Sequence, residues 1–371
     1  MNGTSTSIVH LRKSQSVRAA HGKVRRCFAT PSAVTFIAVS AIAASSVYAS
    51  DKYHIEKRIP AQSIYWDYSS IDSDRAQLYV GRKGGVLAVD LKDNSVTENL
   101  FSGELFHAVT AIGEKYIVAA DGPKNELKVY DASAKQIVAT VKVGGHPDAI
   151  AFDRRTNTVV TVNKESRDLT LVDISTWKAT ATIKLSGDPE FAVSNDDGTL
   201  YVNIADKGEI DVVDLGTRRI TGTRLLRGCR EPSGIAYEKK FRLVVSVCGN
   251  GLAKFLTAPA LREVASLAVG RGADAVLVDE VRSRVFIPAG DDGTLTVIAI
   301  RALNDIATVG ALKTEAGAAS GAVDGISGRV YLPAGRRLPA DAEASGGWQP
   351  PTIAPGSFHI LVIAPDFADP K

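Results

Sequence analysis

Two histidines and a set of carboxylates recur at one kind of position in this chain, the short turn that opens each of a series of apolar runs. His107, His146, Asp148, Glu190 and Asp274 stand in or beside such turns, as do Asp67, Ser233 and Ser320, and Asp291 follows a later run of its repeat. Oxygen and imidazole donors gathered round one cavity could hold a divalent metal or orient a polar ligand. If a metal is held, Asp67, Asp148, Glu190 and Asp274 are the expected ligands. The plainer expectation is that Asp, Glu and Pro recur because turns favour them, and that His107 and His146 are turn residues without a ligand. The chain has no Gly-x-Ser-x-Gly, His-Glu-x-x-His, phosphate loop or haem Cys-x-x-Cys-His, so it does not advertise catalysis. Binding, with no predicted cofactor beyond a possible divalent metal, is the function these residue types favour.

The elements that must position these residues form a repeat. The unit from Gly145 to Gly187 has the turn Gly145-His146-Pro147-Asp148, then Ala149–Phe152, the β-branched run Thr158–Asn163, the alternating run Leu169–Ile174, and Ala179–Leu185. Each run is bounded by Asp, Asn, Gly, Ser or charged residues, which reads as four short antiparallel strands. The opening turn recurs at His107, Asp148, Glu190, Ser233, Asp274 and Ser320, in steps of 41, 42, 43, 41 and 46 residues. The second strand is the easiest to align and appears seven times, from Leu78-Tyr79-Val80 to Val330-Tyr331-Leu332. A four-stranded unit of this period cannot bury both faces alone and must stack on its neighbours. The predicted fold is therefore all-β, a seven-bladed β-propeller of four-stranded antiparallel blades.

The motifs Thr161-Val162-Asn163 and Tyr201-Val202-Asn203, with Pro147-Asp148-Ala149-Ile150-Ala151, resemble the YVTN-repeat β-propellers, including YncE-like exported bacterial proteins. The resemblance covers about residues 60 to 365. It implies a WD40-like ring but leaves function open, because propellers host enzymes, binders and scaffolds. It also supplies the alternative function: some propellers of this kind hold a metal at the channel mouth and open lactones. A lactonase-like hydrolase here would place its ion among Asp67, Asp148, Glu190 and Asp274.

Residues 1–49 read as an export signal peptide, followed by the propeller over 50–371. The leader has six basic residues and no acidic one, the apolar segment Ala33 to Ala44, and the exit Val47-Tyr48-Ala49. Arg25-Arg26-Cys27-Phe28 fits a twin-arginine signal, and a Sec signal with a long basic head fits equally. The expected location is periplasmic or cell-surface, with no stable membrane span after cleavage. Without the leader, 44 basic residues fall to 38 against 41 acidic, a net charge of about −3. The overall basicity belongs to the leader, and the rest lacks the positive footprint that nucleic-acid binding requires. Partners are thus an unidentified protein or small ligand.

Cys229 precedes the first strand of its repeat and Cys248 ends the second, so two antiparallel neighbours bring them together and a disulfide is expected. The last repeat carries a Pro- and Gly-rich insertion, 333–357, predicted to be a loop on the binding rim, where Arg336 and Arg337 could meet an anion and Trp348 could cover the channel mouth. That repeat supplies only three strands. His54–Ile59 is expected to complete it as the fourth and close the ring.

Overall fold

The computed structural model describes residues 52–339 and 349–366. The export signal at 1–49 and Trp348 lie outside the described residues. Every described element is a strand, and all of them belong to one compact unit, Ala49–Lys371. The repeat from Gly145 folds as Pro147–Asp153, Thr158–Asn163, Asp168–Asp173 and Lys178–Lys184, hydrogen-bonded in that order as one antiparallel sheet. Its register pairs Val160 with Ala151 on one side and with Leu171 on the other.

Burial is deepest in the middle strands of each four-stranded unit, partial in the innermost and least in the outermost, and residue type follows it. Thr158–Asn163 is buried from Val159 onward, because neighbouring sheets cover both its faces. That explains why its β-branched run shows no polar alternation. The outermost strand of the next repeat, Arg219–Leu225, is exposed almost throughout and carries Arg and Thr, which protect an open sheet edge from pairing with another chain. Core residues lie between successive sheets. Val160, Val162, Leu169 and Leu171 of one sheet pack on Leu200, Val202, Ile204 and Val213 of the next. Each such side chain contributes about 1.5–3 kcal/mol of burial.

The described residues form five four-stranded sheets and one seven-stranded sheet. The larger sheet joins the first two repeats through Lys83 opposite Leu105 and Gly85 opposite Ser102. Within it, Gln77–Asp90 doubles back on itself around Gly84, whose φ of 90° suits a residue without Cβ. The ends of that segment meet where Leu91 N–H donates to the Ala76 carbonyl and Gln77 Nε2 donates to Asp90.

The last sheet has the order Tyr53–Pro60, His359–Pro365, Val330–Ala334, Ala322–Val323. The N-terminal strand is its fourth member, pairing His54 with Ala364 and Ile59 with Ile360. Within the 333–357 insertion, Pro333 and Ala334 belong to a strand, and Arg337 forms an isolated bridge with Ile353. The loop reading of its first residues therefore needs correction. Pro333 lies opposite Ile360 with the rest of its strand buried, and β-structure continues despite its missing N–H.

Cys229 and Cys248 are bonded, with Cα atoms 5.3 Å apart. Pro232 opposite Cys248 is the register that brings them together.

Candidate functional site

At the start of the innermost strands the ladder slips, and the slipped residues are those that the sequence singled out. Asp67 and Tyr68 lie between the pairs Trp66–Arg82 and Ser69–Val80; His107 and Ala108 lie between Phe106–Asp121 and Val109–Ala119. Glu190 and Phe191, then Ser233 and Gly234, occupy the same place in their sheets, and Asp148 falls between paired Pro147 and Ala149. A bulge of this kind turns side chains out of the pleat, which is how strands re-aim residues beside functional sites. Asn203, from the Tyr201-Val202-Asn203 motif, ties one bulge to the repeat before it. Its Nδ2 donates to the carbonyls of Ser233 and Gly234 at 2.7 and 3.1 Å.

The bulges bring together residues about 40 positions apart in the chain. His107 Nδ1 lies 2.7 Å from Asp67 Oδ2 and 3.3 Å from Asp148 Oδ1. The His107 and His146 rings have centroids 4.9 Å apart. Among the described residues, His107, His146 and Asp148 form the one group of three potential ligands whose donor atoms all lie within 4.8 Å of one another. Gly122 borders both imidazoles: a Cβ there would stand 2.8 Å from His107 Nε2 and 3.3 Å from His146 Cε1. The Tyr65 hydroxyl reaches Asp67 at 3.4 Å, and Lys164 Nζ donates to Glu190 Oε1 at 2.6 Å.

Crowded carboxylates in a poorly solvated place disfavour their own ionisation. Burial pushes Asp274 up to about 7, helped by the charges of Asp67, Glu190 and Asp148. Burial also raises Asp67 against the hydrogen bond from His107, and raises Glu190 against the attraction of Lys164. At His107 burial works against the cation, but the hydrogen bond to Asp67 and the charge of Asp148 leave its pKa above the ordinary value. His146 is lowered by burial and by His107. Such a concentration of perturbed groups is typical of functional sites.

Asp67, Asp148, Glu190 and Asp274 thus feel one another's charge, while the compact three-ligand group takes only Asp148 from that set and adds both histidines. Tyr68 and Phe191 extend the site in a way the sequence reading missed. Their rings meet edge-on with centroids 4.8 Å apart, and the Tyr68 hydroxyl lies 3.5 Å from Asp274 Oδ1, so side chains of three repeats meet beside the carboxylates. A signal for this pair was present. The residue after each opening-turn position is small in five repeats (Ala108, Ala149, Gly234, Ala275, Gly321) and aromatic only at Tyr68 and Phe191.

Glu190 and Asp274 also face a cavity of about 1180 Å³. Its wall carries Asp188, Asp206, Glu231, Asp291 and Glu315 beside them, together with Arg336 and Arg337, and is otherwise mostly Gly and Ala. Asp188 is paired with Arg167, and Glu315 with Arg58. Asp206 and Glu231 are exposed and form no ion pair with a described residue, whereas the charge of exposed Asp291 acts on Arg271. Two charged residues that follow second strands are structural: Arg82 is buried against Glu98, and Asp121 accepts the backbone N–H groups of Glu104 and Leu105.

This architecture is that of a β-propeller, and solved structures agree. The chain is similar to one from Kuenenia stuttgartiensis hydrazine synthase, with 15% identity and a TM-score of 0.63 over 75% of this chain and 94% of that one. It is also similar to a chain of a mitotic checkpoint complex, with 12% identity and a TM-score of 0.68 over 81% of this chain and 95% of that one. No protein-family model and no curated protein matches the sequence.

Proposed function

We propose that this is an exported, non-catalytic propeller of the YVTN-repeat, YncE-like kind, and that its rim cavity receives a basic segment of a protein partner. The observation that carries the reading is the cavity itself, lined by seven carboxylates against two arginines. At about 1180 Å³, it exceeds the roughly 300–1,000 Å³ usual for small-molecule sites, and a length of polypeptide suits it better. Asp206 and Glu231 are exposed carboxylates that form no ion pair with a described residue, so a positive ligand would find charge that is not already neutralised. One similar solved chain comes from a multi-protein complex, which agrees with a scaffold role. The basic, acid-free leader and the Cys229–Cys248 bond support export.

The test is calorimetric titration of the tag-free mature chain with an oligolysine and an oligoglutamate peptide. Oligolysine is expected to bind, more weakly as salt rises, and the double variant Glu231→Gln/Asp291→Asn to lose roughly tenfold in affinity, about 1.4 kcal/mol. Equal binding of both peptides, or of neither, refutes the reading.

A further inference from the structure

We propose that His107, His146 and Asp148 form a binding site for one borderline divalent transition-metal ion of the zinc class, with Asp67 orienting His107. The proposal rests on geometry and donor chemistry. One donor atom from each of the three residues lies within 4.8 Å of the other two. A single ion with bonds of about 2.0–2.2 Å needs donors somewhat closer than that, and side-chain rotations of about an ångström would draw them in. Two imidazoles with a carboxylate select zinc, cobalt, nickel or copper over calcium and magnesium, which prefer all-oxygen sites.

Three further features of the surroundings fit an ion. Asp67 holds Nδ1 of His107 at 2.7 Å, the carboxylate–histidine contact that fixes the tautomer of a metal-binding imidazole and raises its basicity. Position 122 is glycine, and a Cβ there would occupy the space beside both rings. His146 is half-buried rather than sealed, so an ion can arrive from the rim. The ligands come from two repeats, since His107 opens one inner strand and His146 and Asp148 open the next. An ion would therefore also cross-link neighbouring sheets.

The mature chain, without an affinity tag, is stripped with chelator and titrated with Co²⁺ while the visible d–d bands are followed; Zn²⁺ then displaces the cobalt. One equivalent is expected to bind. His146→Gln, at the half-buried position, and Asp148→Asn should each weaken binding by more than about 100-fold, and Asp67→Asn by about 10–100-fold, the range for an orienting partner. Gly122→Ala should weaken binding and alter the cobalt spectrum although no donor atom is removed. Circular dichroism and the melting temperature of each metal-free variant establish that it is folded. Failure of the folded wild-type chain to take up one equivalent overturns the proposal, as does unchanged affinity in His146→Gln and Asp148→Asn.

Discussion

Asp274 is where crowding of like charge acts on a single residue. Its carboxyl, beside the Tyr68 hydroxyl and near three other carboxylates, is pushed up to about 7 from an ordinary value of 3.8. The folded chain therefore keeps a proton that the unfolded chain releases at lower pH. Because the native state binds more protons between those two values, stability from this group is complete below about 3.8 and declines as pH rises through about 7. Asp274→Asn removes the ionisation while keeping much of the shape. Melting followed across pH, in chelator so that no ion intervenes, should show the variant gaining on the wild type above about pH 7 and losing that advantage below about pH 4. A constant difference between the two proteins at every pH would show that the Asp274 charge does not oppose folding.

At the scale of strands, the bulges that aim these residues depend on glycines in neighbouring strands. Gly81 lies opposite the Asp67–Tyr68 bulge, and a Cβ on it would stand 2.6 Å from the Phe106 carbonyl oxygen and 2.9 Å from that of His107. Backbone atoms cannot swing aside, so Gly81→Ala should cost about 1–3 kcal/mol by overpacking. Denaturant unfolding measures this, and a neutral result would mean that the two strands separate freely. The bond between Cys229 and Cys248 closes a loop spanning 19 positions, and converting both to serine should lower stability by about 3 kcal/mol in the same assay. That bond was legible in the sequence, because turn residues and a β-branched run defined the hairpin whose register joins the two cysteines. The four strands between Gly145 and Gly187 were legible for the same reason. The bulges were not, since one extra residue in Pro147–Asp153 leaves the apolar run Ala149-Ile150-Ala151-Phe152 looking like any short strand. Without them the closeness of His107 to His146 cannot be foreseen. Each residue opens its own repeat, and only the stacking angle between sheets determines how far apart they end.

For the whole molecule, the vulnerable place is where the two ends of the chain meet. Every other sheet is built from neighbouring sequence, but the last borrows Tyr53–Pro60 from about 300 residues away, paired along His359–Pro365. Such a contact closes a very long loop and is expected to form late. What holds it is chiefly apolar. Tyr53 meets Phe286 of the preceding sheet edge-on with centroids 5.1 Å apart, and Ile59 is buried in a cluster with Trp66, Leu78 and Phe358. The ion pairs Glu56–Arg329 and Arg58–Glu315 sit outside, half exposed. Ile59→Ala should therefore cost about 2–5 kcal/mol, whereas Glu56→Gln should cost less than about 1 kcal/mol because water screens that pair. A chain beginning after Pro60 would bare the edge of His359–Pro365, whose sequence His-Ile-Leu-Val-Ile-Ala-Pro is a template for pairing between molecules. Size-exclusion chromatography of that chain should show self-association, and a synthetic peptide of residues 53–60 should restore the monomer. A truncated chain that stays monomeric with an unchanged melting temperature would mean that the remaining sheets close without the borrowed strand.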